Sequence, residues 1–403
     1  MHKGNAIVGQ SGGPTSVINA SLAGVIEGAI RTDAITGVYG MRWGIEGFMK
    51  EMLVDLKAEH PWQVQLLKST PSSALGSSRH KLKDEDFPRI LEVLKKYDIR
   101  YFFMIGGNDS MDTINRVVAY CRREGYELNG IGVPKTVDND LFGTDHTPGF
   151  PSAARYVALS IQQGGRLARD MQKVDQYSVY QAVGRDAGWL AASAAAAKRD
   201  EADPPHIVLI PERPFDKEKF LDLVGQTQGQ YGFCSISCGE GVSYADGTPI
   251  SASQTADKFG NVEFGAMGGT SAAMMLHKMI SERYPDWRGE FQVVESLQMC
   301  GSDRASKLDI AEAHACGLRA VELAAEGKDG LMVSIVRGSD SHGHYRTELG
   351  TARLEDVAVR AKPMPAEYID KSGMWITDKF LDYLRPLVGK LPEFANLAFK
   401  PVK

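Results

Sequence analysis

The chain has 403 residues, of which 43% are hydrophobic and 24% are charged, and its formal net charge is −5. These values exclude a disordered chain, which lacks the apolar residues needed to offset the entropy of ordering. No basic domain or stripe is present, so we expect no nucleic-acid partner. No run of about 18 apolar residues is present and the first ten residues lack a signal-peptide profile, so we expect no membrane partner and a cytoplasmic location.

Short apolar runs alternate with longer helical periods along the chain. Residues 6–8 are predicted to form a buried strand, and a glycine turn then leads into a helix with Ile18, Leu22, Val25 and Ala29 on one face. The further predicted strands are 101–105, 130–133, 207–210, 233–236 and 331–336, and the further predicted helices are 111–121 and 310–324. This alternation is typical of an α/β fold with parallel sheets, in which ligands bind beyond the carboxyl ends of the strands.

The first two unusual sequences combine glycine or serine with phosphate-binding potential. In Gly9-Gln-Ser-Gly-Gly-Pro-Thr-Ser-Val-Ile-Asn19, Gly12 and Gly13 allow the backbone to approach a ligand, and the next helix can direct its first N–H groups at an anion. In Leu75-Gly-Ser-Ser-Arg79, the arginine can donate two parallel hydrogen bonds to a phosphate. Taken alone, a glycine turn without a ligand and a solvated loop arginine explain these stretches equally well or better.

The third sequence, Ile105-Gly-Gly-Asn-Asp-Ser-Met-Asp112, again joins a strand to a helix. Asn108 and Asp109 place hard oxygen atoms at the helix start. A lone acidic residue there is usually a helix cap. The same oxygens also suit Mg²⁺, which takes one or two protein ligands, several waters and phosphate oxygens.

The fourth sequence, Gly132-Val-Pro-Lys-Thr-Val-Asp-Asn-Asp140, follows the third predicted strand. Two aspartates two positions apart are costly to place together without a task, although a charged turn is the alternative. One carboxylate can accept a proton from an alcohol. Lys135 can neutralise phosphate charge.

Together the four sequences resemble the phosphofructokinase family, and most closely its pyrophosphate-dependent branch. The Gly-Gly-Asn-Asp-Ser and Pro-Lys-Thr-Val-Asp-Asn-Asp sequences are highly specific for this family. The resemblance continues through later segments, which are Thr144-Asp-His-Thr-Pro-Gly-Phe150, Gly184-Arg-Asp-Ala-Gly-Trp-Leu190, Pro211-Glu212, Ser237-Cys-Gly-Glu-Gly241 and Ala305-Ser-Lys-Leu-Asp309. It is weak in the last part of the chain.

The resemblance implies an α/β fold with two Rossmann-like parallel-sheet domains and an active site in the cleft between them. It implies a phosphoryl-donor domain formed by residues 1–147 with about 298–328. Residues 148–297 with about 329–403 would form the sugar-phosphate domain.

The catalytic residues that the resemblance implies lie in the fourth sequence. The aspartate that matches Asp138 in that family takes the proton from the primary hydroxyl of the sugar, so Asp138 is the expected general base. Thr136 would lie along the transferring phosphoryl group and Asp140 would assist the metal and the reaction geometry. Lys135 would act on the phosphate charge.

The resemblance also implies a donor site. Gly12, Gly13 and Arg79 would bind the donor, and Asn108 and Asp109 would hold Mg²⁺. ATP-dependent relatives commonly have glycine at the positions of Asp109 and Lys135. An aspartate there adds bulk and negative charge near a nucleotide, and a lysine adds positive charge for a short diphosphate, so both residues favour pyrophosphate.

The acceptor site that the resemblance implies is less complete. Gly184, Arg185 and Glu240 match residues that bind the sugar phosphate, whereas Val183 takes the place of a methionine. Thr136 and Asp138 would contact the acceptor as well.

Two arginines that usually bind the distal phosphate of the acceptor are replaced by Gln176 and Met299. Arg304 is the candidate replacement, with Arg288 as a second one. The substitutions leave open a longer sugar phosphate or a sugar without phosphate as the acceptor.

The expected activity is therefore reversible, Mg²⁺-dependent transfer of a phosphoryl group from pyrophosphate to the C1 hydroxyl of fructose 6-phosphate, by a homodimer or homotetramer. Two alternatives remain, a pyrophosphate-dependent kinase of another sugar or sugar phosphate and a non-catalytic sugar-phosphate-sensing subunit. Retention of Asp138, Asp140 and Lys135 argues against the sensing subunit, because a binding module needs no base.

Overall fold

The computed structural model describes residues 3–78, 80–251, 270–395 and 397. Its strands are β1 (Gly4–Gln10), β2 (Ile35–Met41), β3 (Leu53–Asp55), β4 (Ile99–Gly106), β5 (Asn129–Pro134), β6 (Tyr177–Ala182), β7 (Ile207–Leu209), β8 (Cys234–Gly239), β9 (Gly289–Val293), β10 (Leu331–Ser339) and β11 (Tyr345–Arg353). Its helices are α1 (Ile18–Ile30), α2 (Gly44–Met49), α3 (Pro61–Leu67), α4 (Phe87–Lys96), α5 (Asn108–Arg123), α6 (Phe150–Asp170), α7 (Trp189–Ser193), α8 (Lys217–Tyr231), α9 (Ala272–Arg283), α10 (Ser296–Cys300), α11 (Lys307–Ala325), α12 (Leu354–Val359) and α13 (Asp378–Val388). Among these helices none is long and apolar enough to cross a bilayer.

The first sheet has the strand order β11-β10-β5-β4-β1-β2-β3. Its centre is parallel, as predicted, while β3 and β11 run antiparallel at the two edges. Helices α1 and α11 pack on one face and α4, α5 and α12 on the other. Because β4 is buried on both faces, it reads as a continuous apolar run, which is why it could be predicted from sequence.

Helices α1 and α11 cross with their backbones in contact. A Cβ atom on Gly24 would lie 2.2 Å from the carbonyl oxygen of His314, and one on Gly317 would lie 2.2 Å from that of Ser21. Only glycine fits at either position. The crossing fixes α11 to the first sheet, although it follows the second sheet in the sequence.

The second sheet is parallel, with the order β7-β8-β6-β9. Helices α6, α7 and α13 pack on one face, and α8 and α9 on the other. The interior strand β6 was not predicted, because polar residues such as Ser178 and Gln181 interrupt its apolar pattern.

One part of the predicted domain division is corrected by the strand pairing. Residues 331–353 form β10 and β11 and extend the first sheet, whereas the resemblance grouped everything after about 329 with the second domain. Leu331 and Met332 pair with Ile131 and Gly132, so β10 occupies the edge that β5 would otherwise leave open. Helix α13 packs with the second sheet. The remaining boundaries stay a prediction.

Candidate functional site

Three loops of the first sheet lie side by side because they follow the adjacent parallel strands β1, β4 and β5. The backbone N–H of Ser11 donates to the carbonyl oxygen of Ile105 at 3.0 Å, and that of Lys135 donates to the carbonyl oxygen of Gly106 at 3.0 Å. The structure thus brings the first, third and fourth unusual sequences together at the carboxyl edge of the sheet, as predicted. The second sequence joins them, because Oγ of Ser77 donates to the carbonyl oxygen of Gly12 at 2.7 Å.

Lys135 holds the glycine loop that follows β1. Its Nζ donates to the carbonyl oxygen of Gly13 at 2.8 Å. Gly12 has φ +80°, and a Cβ atom there would lie 3.1 Å from Nζ of Lys135. Burial lowers the pKa of Lys135 to about 8, while Asp138 and Asp140 oppose this effect. The ammonium group therefore carries its charge at neutral pH directly beside the loop.

The start of α5 offers oxygen atoms toward the same edge. Oδ1 of Asn108 is buried and has no hydrogen-bond partner among the described residues, and Asp109 is exposed. A buried amide oxygen without a partner is costly unless a ligand completes it. No cluster of three or more His, Cys, Asp or Glu residues within the described ranges could hold a metal. Asn108 and Asp109 therefore fit a Mg²⁺ ion that takes most of its ligands from phosphate and water.

The turn after β5 carries the predicted base. The N–H of Asp138 donates to Oγ1 of Thr136 at 3.1 Å. Burial and the negative charges of Asp140 and Glu240 together raise the pKa of Asp138 to about 7, against the effect of Lys135. Burial also raises the pKa of Asp140. A carboxylate that titrates near neutral pH can accept a proton from an alcohol and release it again.

The second sheet contributes the loops after β6 and β8. The N–H of Gly184 donates to Oε1 of Glu240 at 3.2 Å, and the N–H of Val183 donates to Oε1 of Gln298 at 3.2 Å. Burial raises the pKa of Glu240, and the charge of the exposed Arg185 opposes that rise. The negative charge of Glu240 contributes to the raised pKa of Asp138, so the loop after β8 lies within electrostatic range of the turn after β5.

The two arginines proposed to bind a distal phosphate, Arg288 and Arg304, lie at different places in the structure. Gln176 and Arg288 lie at the amino ends of β6 and β9, where the N–H of Arg288 donates to Oε1 of Gln176 at 2.9 Å. That edge is opposite the one that carries Glu240. Arg304 packs against α6, where its Nη1 donates to Oγ of Ser160 at 3.1 Å. Its role in acceptor binding stays a prediction, and Arg79 lies outside the described residues.

Residues from the last part of the chain also reach the site, and sequence reasoning missed them. Nζ of Lys362 donates to Oδ1 of Asn139 at 3.2 Å, and Nδ2 of Asn139 donates to the hydroxyl of Tyr383 at 3.0 Å. No motif or periodicity marks a lysine or a tyrosine so far along the chain as a neighbour of this turn.

Comparison with known proteins agrees with this geometry. The family model described as phosphofructokinase matches residues 5–324. The chain is 40% identical to a pyrophosphate–fructose 6-phosphate 1-phosphotransferase of Halomonas elongata, over 98% of this chain and 95% of that protein. The crystal structure of a pyrophosphate-dependent phosphofructokinase from Marinobacter aquaeolei superposes with a TM-score of 0.86 at 39% identity, covering 98% of this chain and 94% of the other. A sulfofructose kinase of Alkalicoccus urumqiensis is 32% identical, over 90% of this chain and 91% of that protein.

Proposed function

Because this chain belongs to the phosphofructokinase family, we propose that it transfers a phosphoryl group reversibly from pyrophosphate to the C1 hydroxyl of fructose 6-phosphate. The product is fructose 1,6-bisphosphate, and the reaction requires Mg²⁺. The observation that carries the proposal is Asp138, whose pKa of about 7 suits a general base and which is within electrostatic range of both Lys135 and Glu240. The reaction belongs to sugar-phosphate metabolism, which we infer takes place in the cytoplasm.

The first sheet binds the donor in this proposal. Gly12 and Gly13 leave room for diphosphate oxygens at the backbone, and Lys135 neutralises part of their charge. Asn108 and Asp109 would hold Mg²⁺, which supplies further neutralisation of the diphosphate when bound. Phosphoryl transfer needs little covalent chemistry from the protein, so positioning and charge do most of the work.

The second sheet binds and orients the acceptor. Glu240 and the backbone of Gly184 and Arg185 line its part of the cleft and suit sugar hydroxyls and a phosphate. Asp138 accepts the proton of the C1 hydroxyl as its oxygen attacks the phosphoryl group, and Thr136 lies next to Asp138 along that group. In the reverse direction Asp138 returns the proton to the leaving oxygen.

We also propose that the protein is a homodimer or homotetramer. Strand β9 forms one edge of the second sheet, and no described strand pairs with its outer side. Large apolar side chains are exposed on and near this edge, namely Leu167, Met171, Val174, Phe291 and Leu297. Contiguous exposed apolar surface of this kind favours self-association.

A second acceptor is supported by two observations. The similarity to a sulfofructose kinase extends over 90% of the chain, and Gln176 and Met299 stand where arginines were expected for a distal phosphate. A sulfonated fructose carries a single negative charge at its distal end, so it needs fewer cations than a phosphate does.

The experiment that tests the function is a donor and acceptor screen with purified protein and Mg²⁺. Pyrophosphate and ATP are each combined with fructose 6-phosphate, sulfofructose and unphosphorylated fructose, and product is followed by ³¹P NMR. We expect turnover with pyrophosphate and fructose 6-phosphate and very little with ATP. Turnover with sulfofructose alone would replace the acceptor, efficient use of ATP would overturn the donor, and binding without turnover would favour a sensing subunit.

A further inference from the structure

We propose that Lys362 is a positioning residue for phosphoryl transfer, which holds the turn Asp138–Asp140 in its reactive geometry from the far end of the chain. The kinetic part of this inference rests on the function proposed above. The structural part concerns the turn itself and can be measured without substrate.

The first argument is the number of bonds that Lys362 makes to one stretch of chain. Its Nζ donates to Oδ1 of Asn139 at 3.2 Å, to the carbonyl oxygen of Thr144 at 3.3 Å and to that of Asp145 at 2.7 Å. Its backbone N–H donates to the carbonyl oxygen of Asp140 at 2.7 Å. One residue thus fixes both the turn and the chain that follows it.

The second argument is the strained centre of the turn. Asn139 has φ +55°, a left-handed conformation that non-glycine residues seldom adopt. Its amide is held at both ends, by Lys362 and the N–H of Thr147 at the oxygen and by the hydroxyl of Tyr383 at the nitrogen. Strained backbone persists where the surroundings over-determine it. The two carboxylates of the site flank Asn139 directly, so any relaxation of this residue moves both.

The third argument is that the acceptors of Lys362 are fixed in their turn. The carboxylate of Asp145 accepts two hydrogen bonds from Arg337, both at 3.0 Å, and lies 2.9 Å from Nδ1 of His146. The N–H of Asp145 donates to the carbonyl oxygen of Ile335 on β10. Lys362 therefore ties the turn to a rigid anchor in the first sheet.

The fourth argument connects the two sides of the cleft. Nζ of Lys362 lies 5.1 Å from the ring centre of Trp189, which begins α7 directly after the acceptor loop. Burial lowers the pKa of Lys362 to about 8, whereas Asp145 and Asp140 oppose this effect. The ammonium group therefore remains charged at neutral pH, and its attraction to the ring links the base to the acceptor loop.

The chain offers a matched control in Lys198. Its Nζ also donates to three carbonyl oxygens, those of Glu201, Asp203 and Pro205, and lies 5.5 Å from the ring centre of Trp375. Burial lowers its pKa as well. Lys198 follows α7 and stabilises a surface loop that is separate from the turn. Its loss therefore removes a comparable number of hydrogen bonds without affecting the base.

The kinetic test compares Lys362→Met, Lys362→Arg and Lys198→Met in the full-length protein. We expect Lys362→Met to lower kcat by about 10–100-fold, because small misplacements of reacting groups have effects of that size. KM for both substrates should change little, and Lys362→Arg should recover part of kcat. Lys198→Met should lose thermal stability while kcat stays close to wild type. Equal losses of kcat in both methionine variants, or a wild-type kcat in Lys362→Met, would overturn the inference.

The structural test measures hydrogen exchange without ligands in peptides that span residues 135–149. Exchange should rise in Lys362→Met and stay unchanged in Lys198→Met. If wild type transfers no phosphoryl group but exchange rises in Lys362→Met, the proposed function and the kinetic part of the inference fail, and the structural role of Lys362 in holding the turn stands. Should Lys362→Met not fold, Tyr383→Phe removes the hydrogen bond at the nitrogen of the Asn139 amide. This variant is expected to lower kcat and raise exchange in the same way, and unchanged kcat and exchange would contradict the inference.

Discussion

At the scale of single residues, the site depends on one carboxylate whose proton affinity is set by its neighbours. Substituting Asn for Asp138 keeps the shape and removes the base. Because general-base catalysis typically contributes about 10²–10⁴-fold, we expect kcat of Asp138→Asn to fall by that range. KM for both substrates should stay within a few-fold of wild type in steady-state assays. Turnover close to that of wild type would remove Asp138 from the mechanism.

The pH dependence of the reaction follows from the same residue. The pKa of Asp138 is raised to about 7, and the base must be unprotonated to accept the proton. The value of kcat/KM should therefore fall as the pH drops below about 7. Glu240→Gln removes a negative charge that favours the protonated form, so the acid limb of its pH–rate profile should move to lower pH. A limb that stays in place or moves upward would contradict this electrostatic account.

Sequence reasoning identified residues whose chemistry is written in local motifs, and it missed those that act from a distance. Lys135, Asp138 and Asn108 stand in short, specific sequences directly after strands. Lys362 and Tyr383 reach the same turn from 223 and 244 positions away. A contact across such a separation leaves no pattern in a single sequence, since it depends on how the two sheets pack.

At the scale of elements, the glycine loop after β1 combines a left-handed backbone conformation with contact to the charged Lys135. Gly12→Ala places a side chain at φ +80° and 3.1 Å from Nζ of Lys135. A left-handed residue other than glycine costs about 1–2 kcal/mol, and we expect the contact with Lys135 to place a cost of that size on the donor-bound state. We expect KM for pyrophosphate to rise by about 5- to 30-fold, with KM for the sugar little changed.

Gly247→Ala is the control for that substitution. Gly247 has a similar φ of +82° and open space around its Cβ position. The melting temperature of both variants should be lower than that of wild type in differential scanning fluorimetry, whereas only Gly12→Ala should raise KM for pyrophosphate. A similar rise in both would show that backbone strain alone, rather than the contact with Lys135, causes the effect.

Strands could be predicted where few polar residues interrupt a buried run, whereas the sheet to which a strand belongs could not be predicted where its partner is distant in sequence. The strands β1, β4 and β5 contain short stretches of apolar and glycine residues followed by distinctive loop sequences, so their carboxyl ends and the site loops could be predicted together. Strand β10 was predicted as a strand, yet its sheet could not be, because its partner β5 lies about 200 positions earlier.

At the scale of the whole molecule, self-association is the open prediction. Phe291 is 39% exposed on the edge strand β9 and Leu297 is 59% exposed on α10. We expect Phe291→Glu combined with Leu297→Glu to give monomers in light scattering coupled to size-exclusion chromatography. Val359→Glu is the control, since Val359 is 79% exposed on α12 of the first sheet. An unchanged assembly in the double variant would place the interface elsewhere.

The strand order has a consequence for the order in which the protein can be made. During synthesis from the amino end, the second sheet is complete once β9 has emerged, while the outer edge of β5 stays open until β10 arrives. Helix α11, which covers one face of the first sheet, also emerges after the second sheet. Until α11 and β10 emerge, the first sheet therefore has an uncovered apolar face and an unpaired strand edge. Both features promote aggregation. Ribosome-bound chains that end before residue 330 should bind chaperones more strongly than ribosome-bound chains that include β11.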